Sequence, residues 1–343
     1  MLRILHDTKY DFIRLWKITT IVTLLFTVPG LILIAVAGYK YSIEFTGGTL
    51  VQVSFHKPPD VADLRSTLDA AGVKGAEIAT FGSDSEFIIR AQDPRDVAKQ
   101  TRGAESVAGI INTTLEKKYG AAPGAPAPAV KPFTVVRTET VGPKVGSELQ
   151  QKALYAILVS FAVTLIYLAY RFEWRFGVAA VIATAHDILG TLAFIKYLNL
   201  EISLIVVGGV LTMIGYSLND TIILFDRVRE DLRKRRKESL YETLNRGVNE
   251  TLPRSVLTHT TTFACLVALS LVGGEVIRPF ALVMMFGVVT GTFSSIYVAP
   301  VVLLWIERKW PRALGDHSGV GPRSAKAARS DVPPPPRRRA AEG

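Results

Sequence analysis

The sequence predicts a polytopic α-helical membrane protein with six transmembrane helices and one extracytoplasmic α+β domain between the first and second of them. Its composition is the first observation: hydrophobic residues make up 49% of the 343 residues, charged residues only 20%, and the mean hydropathy is +0.28. Soluble chains of this length are more polar, which excludes an ordinary cytosolic enzyme. The other two observations are six long apolar stretches and two long polar segments between them.

Each of the six stretches is long and apolar enough to cross a bilayer, which takes about 20 residues in a helix. The two long polar segments are residues 39–152, the predicted outer domain, and residues 227–255, a basic loop. The predicted order is therefore one helix, a folded polar domain, and a bundle of five helices over residues 153–306. The apolar stretches comprise residues 18–38, 153–170, 177–197, 202–226, 256–274 and 279–306.

Basic residues outnumber acidic residues in four segments that six crossings place on one side: 1–17, 171–176, 227–254 and 307–343. Residues 39–150 carry equal numbers of both signs. Because Lys and Arg that flank membrane helices are retained in the cytoplasm, both termini are predicted to be cytoplasmic and the outer domain to lie outside. The net charge of +10 then reflects orientation in the membrane, and no nucleic-acid partner is expected.

The first apolar stretch has a rival interpretation, because Ala35, Val36 and Ala37 resemble the site at which a signal peptide is cleaved. A signal peptide has an apolar run of about 7–15 residues, whereas this run spans residues 18–38 and follows a mixed-charge lead of 17 residues. We therefore predict an uncleaved membrane anchor.

The outer domain alternates between the periodicities of strands and helices, which predicts a small α+β domain. No group of its residues supplies a nucleophile, a base and an oxyanion donor, so no catalytic site is expected. Two roles remain open, a folded spacer and a surface that binds an extended polypeptide at a sheet edge. The predicted strands are 49–55, 77–81, 87–91 and 133–137, the helices 59–71 and 93–119, and the Ala/Pro-rich tether 120–130.

Ionisable residues within spanning helices are costly and tend to mark function. Asp187, preceded by His186, lies in the middle of the third stretch. Asp220 lies in the fourth, between Asn219 and Thr221. Charges at helix ends are predicted to be solvated. We therefore place the candidate site at the two aspartates, with Asn219, Thr221 and His186 as supporting residues; a His186 that is only hydrogen-bonded within the bundle remains an alternative.

Arg254 and His259 open the fifth stretch, and one face of that helix is polar. If Arg254 moves relative to Asp220, the carboxyl binds a proton in one conformation and releases it in another, which couples proton flow to motion. A static structural ion pair between the two is the alternative. The polar face comprises Arg254, Thr258, Thr261, Thr262 and Cys265.

Small residues predict close helix packing: Gly287, Gly291 and Ser295 in the sixth stretch, and Gly208 with Gly209 in the fourth.

A single cysteine and five scattered histidines predict no metal site and no cofactor. The coupling ion is expected to be the proton. Residues 227–246 are predicted to form an amphipathic helix whose basic face contacts anionic membrane lipids or is simply solvated. The Pro- and Arg-rich tail after residue 311 is predicted to be disordered.

Six motifs in order give the chain a resemblance to the SecF members of the SecD/SecF family of bacterial protein-export membrane proteins, in the resistance-nodulation-division superfamily. The resemblance extends over about residues 14–311. Each motif is weak alone, and their order and topological positions make the set specific. The motifs occupy residues 45–48 (Phe-Thr-Gly-Gly), 141–149, 215–221, 225–230, 249–255 and 291–297.

The resemblance implies that Asp220 is the proton-carrying carboxylate, with Arg254 as its partner and Asp187 in the same polar region. It implies a SecD partner, the SecYEG channel, accessory YajC and YidC proteins, and a location in the bacterial inner membrane. In that family, the outer domains engage the emerging unfolded preprotein and the proton-motive force helps to complete its export. One departure is Glu44 after Ser42 and Ile43, where the family often has Gly-Ile-Asp; the carboxylate is retained.

Two rival functions remain open. A non-conducting scaffold would stabilise its partner and use Asp220 and Arg254 only as a structural pair. Half of a small-molecule proton antiporter would assemble with itself, whereas an export subunit would copurify with a SecD-like chain and translocon components.

Overall fold

A computed structural model of the chain describes residues 8–91, 106–120, 132–234 and 238–310. Several predictions lie outside these residues: the first part of the helix predicted at 93–119, most of the Ala/Pro-rich tether, the middle of the basic loop and the tail after residue 311.

The helices of the described residues confirm the predicted fold class. Six helical segments are long and apolar enough to cross a membrane: α1, α5, α6, α7, α8, and α9 together with α10. The helices are α1 Trp16–Ala37, α2 Ile43–Thr46, α3 Val61–Ala70, α4 Val107–Tyr119, α5 Pro143–Arg171, α6 Trp174–Tyr197, α7 Leu204–Lys234, α8 Leu240–Val272, α9 Gly274–Tyr297 and α10 Ala299–Lys309.

Several helix boundaries differ from the prediction. Helix α5 begins at Pro143 rather than at residue 153, because Pro143 occupies the first helical turn, where a missing N–H leaves no bond unmade. The amphipathic helix predicted over residues 227–246 is two helices, since α7 ends at Lys234 and Ser239 caps the start of α8. Ser239 and Glu242 form a reciprocal capping box that begins the new helix.

The outer domain contains a four-stranded antiparallel sheet in the order β2-β3-β1-β4. Its strands are β1 Gly48–Phe55, β2 Glu77–Phe81, β3 Ser83–Ala91 and β4 Phe133–Val141. Helices α3 and α4 pack beside the sheet, and the core between them is apolar. The fully buried side chains of this core include Val51, Val53, Leu64, Leu68, Ile89, Ile111 and Leu115.

The spanning helices divide into an inner and a peripheral group. About half of each apolar window of α6 and α7 is buried and 44% of that of α9 with α10, whereas the buried share is 17% in α8, 11% in α1 and 6% in α5. Helix α9 packs against α6, α7 and α8. The inner helices therefore enclose the polar residues, while α1 and α5 present apolar faces outward.

Candidate functional site

Polar side chains from four helices meet between the two apolar clusters of the bundle. Each comes from a position that faces the neighbouring helices, so they are buried or half-buried although they are polar. They are His186 and Asp187 on α6, Tyr216, Ser217 and Asp220 on α7, Ser255 and His259 on α8, and Thr292 and Ser294 on α9.

Asp187 is completely buried and fully hydrogen-bonded. Its Oδ2 accepts hydrogen bonds from the Ser217 hydroxyl and, at 2.6 Å, from the Ser294 hydroxyl. Its Oδ1 lies 3.0 Å from His186 Nδ1. These bonds join α6, α7 and α9 at one point, so Asp187 is held in a single orientation by partners on three helices.

Asp220 has a different environment. Its Oδ2 lies 3.2 Å from His259 Nε2, and Ser255 lies against the same carboxyl. No described group makes a well-oriented hydrogen bond to that oxygen. An ionisable partner beside a buried carboxylate oxygen permits proton exchange, because protonation of either group changes the interaction.

The hydrogen bonds around His259 favour one tautomer of its ring. The Thr292 hydroxyl donates to the Val288 carbonyl at 2.7 Å, so its oxygen is left to accept from His259 Nδ1, at 2.5 Å. With Nδ1 protonated, Nε2 faces Asp220 either as a donor to a carboxylate or as an acceptor from a carboxylic acid. In either of these two states, the pair of side chains holds one exchangeable proton.

Arg254 is exposed on α8 and reaches Asp220 only through longer-range attraction. Among the described residues, the basic side chain within ion-pair distance of Asp220 is His259, whose Nε2 lies 3.2 Å from Oδ2. Of the other supporting residues predicted from the sequence, Thr221 is buried and Asn219 is exposed. The Thr258 hydroxyl bonds the Arg254 carbonyl of its own helix, whereas the Tyr216 hydroxyl donates to Thr262 at 3.0 Å.

The small residues predicted to mediate packing have unequal surroundings. A Cβ on Gly291 would lie 3.0 Å from the Ser217 Cβ, a Cβ on Gly209 would lie 3.3 Å from Val283, and Gly287 lies against Met213. Nothing lies within 4 Å of the corresponding position on Gly208. Buried Ser295 bonds the carbonyl of Thr292. Close approach of α9 to α7 thus depends on Gly287 and Gly291.

Apart from His186, sequence reasoning missed the residues that partner the carboxylates. Ser217 and Ser294 lie within the motifs at residues 215–221 and 291–297, so their positions were marked but their roles were not. His259 was noted only as one of the polar residues of its helix. Among the described residues, no three His, Cys, Asp or Glu side chains come together as a metal site.

The fold and the site define a polytopic membrane protein that has an intramembrane ionisable centre and one soluble domain between its first two spans. A family model described as protein export membrane protein SecD/SecF, C-terminal, matches residues 127–309, and one described as the SecD/SecF GG motif matches residues 32–59. The chain belongs to the SecD/SecF family and, within it, to the SecF group.

The protein translocase subunit SecF of Gemmatimonas aurantiaca is 57% identical over 314 residues, which cover 91% of each chain. The same subunit of Desulfurispirillum indicum is 38% identical and covers 89% of this chain and 93% of its own. The crystal structure of SecDF, a translocon-associated membrane protein from Thermus thermophilus, is 32% identical with a TM-score of 0.75. That match covers 88% of this chain and only 39% of the SecDF chain.

Proposed function

We propose that the chain is the SecF subunit of a SecDF protein-translocation complex that uses the proton-motive force to assist late steps of preprotein export through SecYEG. The similarity to SecF over 91% of the chain supports the subunit assignment. Because the matched region is 39% of a SecDF chain, the remaining part of that chain corresponds to a SecD partner. YajC and YidC are the accessory partners in this proposal.

The observation that carries the proposal is the position of His259 Nε2, 3.2 Å from Asp220 Oδ2 inside the helix bundle. A proton that crosses a membrane potential of 100 mV supplies about 2.3 kcal/mol, which shifts a two-state equilibrium roughly fifty-fold. The two carboxylates are linked through α7, which carries both Asp220 and the Ser217 that bonds Asp187. Gain or loss of the proton therefore changes the electrostatic interaction between α7 and α8, and α7 also contacts α6 and α9.

In this proposal the chain lies in the bacterial inner membrane with both termini in the cytoplasm. The packing of the N-terminal segment supports that orientation. The backbone N–H groups of Tyr10 and Phe12 each donate at 2.9 Å, to the side chains of Asn249 and Asn245 on α8. Residues 8–15 thus lie at the same end of the bundle as the basic loop, in line with the charge bias. The outer domain then faces the unfolded preprotein on the other side.

The test is the gradient-dependent completion of preprotein export in membranes that carry the wild-type chain, Asp220→Asn or His259→Gln together with SecD. Both variants are expected to lose the gradient-dependent component, because neither retains the shared ionisable pair. Glu230→Gln is the matched control, since Glu230 lies on the same helix, is exposed, and pairs with Arg227 and Lys234 at the surface. Equal insertion and SecD assembly are confirmed for each variant. Undiminished gradient-dependent export with Asp220→Asn would exclude the proton role of this residue.

A non-conducting scaffold is the second candidate, and the environment of Asp187 favours it. A carboxylate with hydrogen bonds from three helices is typical of a static structural centre. The same export assay separates the two functions, because a scaffold tolerates Asp220→Asn whenever assembly is intact.

A further inference from the structure

The outer domain is joined to α7, the helix that carries Asp220, at a site remote from the ionisable centre. The chain leaves α1 and passes beside residues 200–203, just before α7 begins. There the Ile202 N–H donates to the Lys40 carbonyl at 2.8 Å, and the Ser42 N–H donates to the Ile202 carbonyl at 2.9 Å. The root of the outer domain is therefore bonded to the segment that leads into α7 and does not hang freely from α1.

Glu44 extends this joint to the helix itself. Its Oε2 accepts a hydrogen bond from the backbone N–H of Leu204, the first residue of α7, at 2.6 Å. The first N–H groups of a helix have no partner within it, and a carboxylate there is favoured by both hydrogen bonding and the helix dipole. Asp220 follows sixteen residues later, about 24 Å along the axis at a rise of 1.5 Å per residue. Glu44 thus caps a rigid helix whose other half carries the proton site.

A second contact lies beside the first and comes from the sheet. Arg90 on β3 forms an ion pair with Glu201 at 2.5 Å, and both side chains are largely shielded, with 31% and 24% of their surface exposed. A cavity of about 220 Å³ separates the sheet from the bundle here, and Glu44, Arg90 and Glu201 all line it. The cavity leaves few packing contacts between the sheet and the start of α7 at this place. The ion pair and the Glu44 hydrogen bond therefore connect the two across it.

The other side of the same loop is held by close backbone packing. A Cβ on Gly146, in the first turn of α5, would lie 2.8 Å from the Phe45 carbonyl oxygen and 2.9 Å from the Gly47 nitrogen. Gly47 itself has a φ of +73°, which other residues rarely adopt. The turn from the end of α2 into β1 is therefore fixed against α5 while Glu44 reaches α7.

We propose that Glu44 is a positioning residue for the proton site: together with the Arg90 and Glu201 pair, it connects the outer domain to the start of α7, so that displacement of that helix is transmitted to the sheet. This inference rests on the proposed function, since it assigns the route by which the proton site acts on the outer domain. Glu44 contacts neither Asp220 nor His259 and acts only through α7.

The first test is the export assay on full-length chain assembled with SecD. Glu44→Leu removes the acceptor for Leu204 and is expected to lose part of the gradient-dependent export, whereas Glu44→Asp keeps a capping carboxylate and restores it. Arg90→Glu and Glu201→Arg each place like charges together and are expected to lose activity, and the double exchange is expected to recover it. Equal export by Glu44→Leu, Arg90→Glu and the wild-type chain would overturn the inference.

The second test measures distance and does not depend on export. The exposed native cysteine Cys265 is replaced by Ala, and spin labels are placed at exposed Glu116 on α4 and exposed Val272 at the end of α8. Asp220→Asn is expected to shift the distance distribution between the labels. That shift is expected to disappear when Glu44→Leu and Arg90→Glu are also present.

The outcomes separate the inference from the proposed function. If Asp220→Asn leaves export unchanged but still shifts the distance through Glu44, the connection stands and the export role fails. If Asp220→Asn shifts the distance by the same amount with and without Glu44→Leu and Arg90→Glu, the connection through these residues is wrong. The charge-exchanged double variant keeps the test decisive if a single variant fails to insert, because it retains both an acid and a base at the joint.

Discussion

The outer domain and the helix bundle place their polar groups in opposite ways. The core of the outer domain is apolar, and the ionised partners Asp63 and Lys118 lie at its surface. The bundle buries Asp187, Asp220 and His259 among its helices. Burial of apolar side chains stabilises a fold without requiring specific partners, whereas each buried polar group must find one.

Because of this difference, the stability of the two regions is expected to respond to different kinds of substitution. The outer domain is expected to respond to loss of volume and to tolerate changes of charge. The bundle is expected to respond to the loss of a single hydrogen-bond partner or to the addition of one methyl group between helices. The two carboxylates of the bundle also differ from each other. Both oxygens of Asp187 have hydrogen-bond partners, whereas Oδ2 of Asp220 faces the ionisable ring of His259.

The largest effect on stability is expected from a core truncation in the outer domain. Ile111 on α4 is fully buried against the sheet, and Ile111→Ala removes apolar contacts and leaves a cavity, at a cost of about 2–5 kcal/mol. Hydrogen exchange of the full-length chain should show faster exchange in α3, α4 and the sheet, with α6 and α7 unchanged. Val136→Ala, at an exposed position of β4, is the control and should alter neither region. Faster hydrogen exchange in both regions would show that the outer domain and the bundle do not respond separately to the loss of core volume.

Asp187→Asn is expected to have the next largest effect, and in the bundle only. The amide keeps the size of the side chain but provides one acceptor oxygen, so one of the bonds from Ser217, Ser294 or His186 is lost, at a cost of about 1–3 kcal/mol. The midpoint temperature of unfolding in detergent measures this loss. Thr191→Val on the same helix removes only a bond to the helix backbone and should cost less. An Asp187→Asn chain as stable as wild type would mean that these hydroxyl groups find other partners.

Gly291→Ala should have a smaller effect that sharpens the role of packing. The added methyl group would lie 3.0 Å from the Ser217 Cβ, so α9 must move away from α7, at a cost of about 1–2 kcal/mol. We expect a lower unfolding midpoint and weaker gradient-dependent export, because Ser217 also bonds Asp187. Gly208→Ala adds the same methyl group where nothing lies within 4 Å and is the matched control. Equal behaviour of the two variants would show that helix contact at Gly291 is not tight.

The smallest effect is expected at the surface of the outer domain, as a pH dependence. Hydrogen bonds from Lys118 at 2.5 Å and Tyr119 at 2.9 Å hold the pKa of Asp63 below its ordinary value of 3.8. Burial, with the bond to Asp63, raises the pKa of Tyr119 to about 12, so the phenol remains a donor.

Since the folded pKa of Asp63 is depressed, its contribution to stability is complete above the ordinary, unfolded pKa of 3.8 and is lost as the pH falls through the folded value. Hydrogen exchange in α3 and α4, corrected for its intrinsic pH dependence, should rise below about pH 4 in the wild-type chain. Asp63→Asn should reduce this dependence, and the bundle helices serve as the internal reference. An identical pH profile in Asp63→Asn would assign the acid sensitivity to other groups.

Features that depend on local patterns could be predicted from the sequence. The six spans follow from the length of apolar stretches, and the outer domain follows from alternating periodicities, because both are properties of neighbouring residues. The strand predicted at residues 49–55 and the helix predicted at 59–71 correspond to β1 and α3 within two residues. Asp187 and Asp220 were identified because ionisable groups are rare within spanning helices. The role of Arg254 as the partner of Asp220 stays a prediction.

Contacts between distant residues were decided only by the tertiary structure. Ser294 lies 107 residues from the carboxylate it bonds, and His259 belongs to a different helix from Asp220. Every turn of a spanning helix offers several polar positions, and only the rotation and depth of its neighbours select which ones meet. The same reason separates Gly291 from Gly208, which look alike in sequence, because a glycine is required only where another helix approaches within van der Waals contact.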